Sequence, residues 1–149
     1  MTKMIFLNLP VKDLAAATRF YAAIGCKRNE QFSSDQAAMM AWSDNITFQL
    51  LTHDYFASFS AKPIAASNVS EVLIALSRES RQDVDAICQA AVANGGKTDV
   101  RAPQDMGFMY VRTFEDADGH VFEPMWMDAA AMSNQSITHS QSAGTEQGK

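Results

Sequence analysis

Residues 114–123 read Phe114-Glu115-Asp116-Ala117-Asp118-Gly119-His120-Val121-Phe122-Glu123. Two apolar segments flank an Asp-Ala-Asp-Gly stretch whose residue types favour a tight turn. The upstream segment extends back to Phe108 and the downstream one forward to Met127, so each has strand length and strand residue types. Before them, Lys97 to Arg101 reads as a weaker strand, and Glu71 to Ser77 is a near-continuous apolar run. Between those two, Ser80 and Asp83 have the spacing of a helix capping box. Val84, Ile87 and Ala91 then fall on one helical face, and Gly95-Gly96 ends the helix. The order is strand, helix, strand, strand, strand.

The same order occupies the first half of the chain. Met4 to Leu9 reads as a strand closed by Pro10. Asp13 is placed to cap a helix whose apolar face is Leu14, Ala17, Tyr21 and Ile24, with Gly25 at its end. Strands follow at Lys27–Phe32, Ala38–Trp42 and Ile46–Thr52, separated by Ser-Ser-Asp and Ser-Asp-Asn turns. Aligning the halves sets Phe6 against Leu73, Gly25 against Gly95 and Gln49 against Glu123, offsets of 67, 70 and 74. The pattern is that of an internal duplication with small loop insertions.

Length and composition agree with one folded unit. The chain has 149 residues, 47% of them hydrophobic, which is enough for a single domain with its own core. The net charge of −5 sits in the second half: residues 1–60 carry five basic and five acidic groups, residues 61–132 six and eleven. No basic stripe is present, which argues against a nucleic-acid partner and against an anionic membrane surface. The two cysteines, Cys26 and Cys88, lack a secreted-protein pattern, and no leading segment reads as a signal peptide. We therefore expect buried, reduced thiols and a cytoplasmic protein. The expected domain covers residues 1–132, with modules at about 3–57 and 70–128. His53 to Ser70 reads as a crossover with one short helical turn, its Tyr55, Phe56 and Phe59 covering a sheet edge. Residues 133–149 are a polar tail without enough apolar surface to order itself.

Two stretches resemble a known family. Val11-Lys12-Asp13-Leu14 followed by Arg19-Phe20-Tyr21-Ala22-Ala23-Ile24-Gly25 is similar to the strand, V-x-D-L, F-Y helix and glycine of the vicinal oxygen chelate superfamily. The 114–123 stretch is similar to that family's F-x-D-P-D-G-x-x-x-E ending, with Ala117 in place of the proline. The superfamily includes glyoxalase I (lactoylglutathione lyase), bleomycin resistance proteins and extradiol dioxygenases. The resemblance implies an α+β fold in which two βαβββ modules form one eight-stranded U-shaped sheet around a cavity, with helices on the outer face. It also implies a homodimer.

In catalytic members of the family a divalent metal in the cavity is held by the first and last strands of each module. Carried over, those positions are Phe6, Gln49, Leu73 and Glu123. Phe6 and Leu73 replace imidazoles and have no donor atom. A catalytic ion needs about three protein ligands, so Gln49 and Glu123 are vestigial positions and no cofactor is expected. Strand alternation gives the rest of the cavity. If Glu123 points inward, so do Val121 and Met125, with Phe122 and Trp126 toward the helices. Gln49, Leu51, Phe6, Asn8, Leu73 and Ala75 then also face inward. Tyr110 and Arg112 share one face, which the pattern leaves open. The candidate ligand-binding residues are thus Phe6, Asn8, Gln49, Leu51, Leu73 and Met125. Glu123 is the candidate catalytic residue, either as a general base on a bound carbonyl compound or as a structural carboxylate bonded to Gln49, Arg112 or water. Two functions follow: a lyase or isomerase acting on an α-oxo or thiol-adduct substrate, or a non-catalytic protein that sequesters a small molecule.

Overall fold

The computed structural model describes residues 1–130; the expected polar tail lies outside the described residues. Strand β1 (Ile5–Val11) leads into helix α1 (Leu14–Ala23), where Asp13 accepts a hydrogen bond from the Ala16 N–H at 3.0 Å as the cap. Strands β2 (Lys27–Asn29), β3 (Ala37–Ala41) and β4 (Ile46–Thr52) follow, and helix α2 (His53–Phe59) closes the first module. Strand β5 (Leu73–Ser77) and helix α3 (Arg81–Ala93) open the second, with Ser80 capping α3 through the Asp83 N–H. Short strands β6 (Lys97–Thr98), β7 (Gln104–Asp105), β8 (Met109–Val111) and β9 (Phe114–Glu115) precede β10 (Val121–Met127).

Hydrogen bonding divides these strands into two sheets, where the resemblance implied one continuous eight-stranded sheet. The first has four strands in the order β1-β4-β3-β2; the second has six, with β10 between β5 on one side and β8 and β9 on the other. Each sheet has one parallel pair, made by its module's first and last long strands. Asn8 lies opposite Gln49 in the first pair and Ala75 opposite Glu123 in the second. These partners are related by the same offsets of 67 and 74 that align the halves of the sequence. The cap residues Asp13 and Ser80 are also 67 apart, and Gly25 and Gly95 both take positive φ. The duplication is thus repeated in ladder register, beyond mere element order.

Strand β1 runs on through Pro10, at the sheet edge, to Val11 rather than closing at Pro10, and three further strand expectations shift. The first is β2, which ends at Asn29, where a 3₁₀ turn (Glu30–Phe32) is capped by the Asn29 side chain. The second is β6, which ends at Thr98 because Asp99 turns the chain with φ 53. The expected Phe108–Phe114 strand is split into β8 and β9. Both halves keep one register against β10, and the gap falls opposite Pro124. Arg112 N–H donates to Pro124 O, but proline has no N–H with which to complete the pair.

A single core joins the modules. Phe20 and Tyr21 of α1 and Ile87 and Cys88 of α3 pack with Phe48 and Leu50 of the first sheet and Phe114 and Phe122 of the second. Both cysteines are free and buried, as expected, and burial pushes the Cys26 thiol up to about 12. No helix among the described residues is long and apolar enough to cross a membrane.

The end of α3 is closely fitted. A Cβ on Gly96 would stand 2.4 Å from the Glu115 carbonyl oxygen and 2.8 Å from the Phe20 ring. Gly96→Ala should therefore lower stability by about 1–3 kcal/mol, the usual range for overpacking against backbone. Urea denaturation measures this directly, and an unchanged midpoint would refute the close fit.

Candidate functional site

The face of the first sheet turned away from α1 carries Phe6 and Asn8 from β1 and Gln49 and Leu51 from β4. Phe48 and Leu50, the alternating residues, go into the core. Helix α2 packs across β1 and β4, because Thr52 accepts from the Tyr55 N–H and turns the chain back directly after β4. Tyr55 and Phe59 meet edge to face with centroids 4.9 Å apart. Together with Phe56 they border an open cavity of about 590 Å³ whose wall also includes Phe6, Asn8, Gln49 and Leu51.

Four of the six expected ligand-binding residues are thus brought together. The crossover aromatics, expected to cover a sheet edge, line the cavity as well. Their sequence signal was present in the spacing of Tyr55, Phe56 and Phe59, which a two-turn helix gathers on one side. Among the described residues, the Tyr55 phenol is the one ionisable side chain around this cavity.

Leu73, Met125 and Glu123 lie elsewhere. They occupy the corresponding face of the second sheet, where Leu73 pairs with Val121, Ala75 with Glu123 and Ser77 with Met125. Leu73 is 54% exposed, and none of these residues borders the first cavity. The partner of Glu123 is neither Gln49 nor Arg112 but Arg101, whose Nη2 donates to the carboxylate at 2.8 Å. Arg101 is held there by Thr113, opposite Glu123 in the β9–β10 register. The Arg101 N–H donates to Thr113 Oγ1 at 3.0 Å, and the Asp99 N–H donates to Thr113 O at 2.7 Å. A strand reading of Lys97–Arg101 hid this contact, because the left-handed turn at Asp99 brings Arg101 back to the sheet.

Tyr110 and Arg112 face α3. Arg112 donates to Asp85 at 2.9 Å and to Asp99 at 3.0 and 3.1 Å, and the Tyr110 hydroxyl donates to Asp85 at 2.7 Å. The Tyr110 bond is the first cause holding the Asp85 carboxyl below the usual range.

The Asp116–Gly119 turn is not simply solvated. Asp116 is 4% exposed and accepts from the Tyr21 hydroxyl at 2.7 Å and from the N–H groups of Asp118 and His120 at 3.0 and 2.9 Å. It, rather than Glu123, is the most internal carboxylate of the turn and β10. The same turn reaches the end of β1. Asp118 accepts from the Lys12 N–H at 2.8 Å, and His120 Nε2 lies 2.8 Å from Pro10 O. A carbonyl only accepts, so Nε2 carries the proton.

The residues at the four family metal positions do not fit a chelated ion. Phe6 and Leu73 offer no donor, Gln49 and Glu123 stand on different sheets, and Glu123 is already paired with Arg101. Among the described residues no three His, Cys, Asp or Glu side chains are grouped as an ion would need.

A search of curated proteins gave no match. Among solved structures, a hypothetical protein from S. aureus is 27% identical with a TM-score of 0.70, covering 85% of this chain and 95% of that one. A glyoxalase/bleomycin resistance protein/dioxygenase family enzyme from Burkholderia phytofirmans is 18% identical with a TM-score of 0.69, covering 85% and 99%. A fosfomycin resistance protein from Mesorhizobium loti is 16% identical with a TM-score of 0.62, covering 89% and 98%. These likenesses agree with two curled sheets and helices arranged as described above. The family model that matches residues 3–123 covers nearly all of both modules, and the chain accordingly belongs to the glyoxalase/bleomycin resistance protein/dioxygenase superfamily.

Proposed function

We propose that this protein binds a small, uncharged, largely apolar molecule in the cavity between the first sheet and α2, and that it does so without a metal ion. The observation that carries this reading is the cavity wall: aromatic rings from Phe6, Tyr55 and Phe56 beside the neutral amides of Asn8 and Gln49. Apolar walls with a few placed polar groups are the usual composition of small-molecule sites. A charged ligand would find no counter-charge there. The lyase or isomerase reading depends on Glu123, which is on the other sheet and accepts a hydrogen bond from Arg101. The binding, sequestering reading is therefore preferred.

The family resemblance adds that copies pair as a homodimer. Exposed Ile5 and Phe6 on β1 and Leu73 on β5, each at a sheet edge, support it. The acidic balance of −5 supports a small-molecule rather than a nucleic-acid or anionic-membrane partner, and the two free thiols fit a reducing compartment such as the cytoplasm.

A thermal-shift series with uncharged aromatic compounds tests the reading. A compound at 100 times its dissociation constant adds about 2.7 kcal/mol of stability. Asn8→Trp, which places an indole in the cavity from an exposed strand position, should abolish the shift. Glu123→Gln should leave it unchanged. The reverse result would transfer function to the second sheet and restore the enzyme reading.

A further inference from the structure

The cavity contains a more specific signal than its apolar walls. Asn8 and Gln49 are Cα partners in the parallel β1–β4 ladder, so their side chains stand side by side on the cavity face, about 4.8 Å apart. Both border the cavity. Neither side-chain amide makes a hydrogen bond with another described residue; Asn8 is exposed and Gln49 half-buried, so both amides are open to whatever occupies the cavity. Two adjacent amides without partners among the described residues, beside aromatic rings, leave four donor and acceptor groups facing the cavity.

A carboxamide presents its oxygen and its N–H in parallel. Its natural complement is another group with an acceptor and a donor on neighbouring atoms, the geometry with which Asn and Gln read the adenine edge. The rings of Phe6, Tyr55 and Phe56 suit a flat molecule, since aromatic faces and edges pack on planar rings. Among the described residues the wall holds no carboxylate, ammonium or guanidinium, which favours a neutral ligand. Resting on the binding reading above, we propose that the ligand is a neutral planar ring system carrying a donor–acceptor edge, such as a lactam, held by paired hydrogen bonds to the Gln49 and Asn8 amides. A site built to satisfy such an edge rejects analogues lacking the donor, because its own polar group is then buried without a partner.

Quinolin-2(1H)-one and its N-methyl derivative are nearly the same shape and differ in the lactam N–H. Isothermal calorimetry on the full chain should give at least tenfold tighter binding of the lactam. Gln49→Met should bring the lactam down to the level of the N-methyl compound while changing the latter less than twofold. Equal binding of the two compounds to the wild type, both lost in Asn8→Trp, would overturn the amide pairing and keep the cavity. Binding of neither compound, nor of naphthalene, would remove the cavity reading and the pairing with it.

Discussion

Phe122→Ala should destabilise the protein by about 3–5 kcal/mol, the range for truncating a fully buried phenylalanine. Phe122 has no exposed surface. Its ring stacks on Phe114 at 5.0 Å with 14° between planes, and meets Phe48 edge-on at 5.5 Å and Tyr21 at 6.0 Å. Those three neighbours come from β9, from β4 in the other sheet and from α1. Removing the ring therefore opens a cavity where both modules meet, and neither sheet can collapse into it without moving the other. Total stabilities of about 5–15 kcal/mol make such a loss a large fraction of the whole. The loss should also be shared. Urea unfolding followed by near-UV and far-UV circular dichroism should show one midpoint for both probes, lowered in the variant, with an unchanged slope. Two separated transitions would mean that the modules hold independent cores.

The repeat that builds this core was readable because it is written in local signals. Asp13 and Ser80 cap helices at equivalent positions, and Gly25 and Gly95 end them. The alignment of Phe6 with Leu73 and of Gln49 with Glu123 is the alignment of the two parallel ladders. What the sequence hid depends on contacts between distant residues or on the chain doubling back. Pro124 interrupts the ladder of a neighbouring strand, and only the register identifies which residue loses its partner. Arg101 reaches Glu123 because Asp99 adopts a left-handed turn, which a non-glycine residue rarely does. The aromatics of α2 declare themselves apolar, but their role as a cavity wall follows from the fold of the helix back over β1 and β4.

The same contrast explains the site. Family positions on the first and last strands could be assigned from the motifs, and four inward residues of the first sheet do line one cavity. Alternation alone could not show that Leu73, Met125 and Glu123 belong to a separate face, because strand periodicity specifies a side of a sheet and not which sheet lies opposite. At the positions that the resemblance assigns to metal ligands, Phe6 and Gln49 offer an aromatic ring and a neutral amide. Under the proposed binding reading, the chemistry there is aromatic packing and neutral hydrogen bonding rather than chelation.

Asp116 shows how far a turn motif can mislead. An Asp-x-Asp-Gly sequence has the composition of an exposed turn, yet Tyr21, 95 residues earlier, delivers its hydroxyl into that turn at 2.7 Å. Asp116→Ala should cost about 3 kcal/mol. It would strand the hydroxyl of a tyrosine with no exposed surface, an orphaned buried donor that costs about 1–3 kcal/mol, and would also remove the acceptor for the half-buried N–H groups of Asp118 and His120. Asp116→Asn keeps an acceptor and should cost less. The asparagine variant also isolates the effect of pH. Burial is the largest influence on Asp116 and raises its carboxyl above the ordinary 3.8, outweighing the opposing charge of His120 and the hydrogen bond from Tyr21. In the window between 3.8 and the raised value, the folded protein keeps a proton that the unfolded chain has released. The folded state then binds more protons, so this group's contribution to stability falls as pH rises through that window and stays at its lower level above it. The carboxamide of the variant does not titrate. The stability of the wild type relative to Asp116→Asn should therefore be greatest at about pH 3 and decrease toward neutrality, with the other acid groups cancelling between the two proteins. Urea midpoints across that range measure it, and a wild-type advantage that grows with pH would show that the hydrogen bonds, not burial, govern this carboxyl.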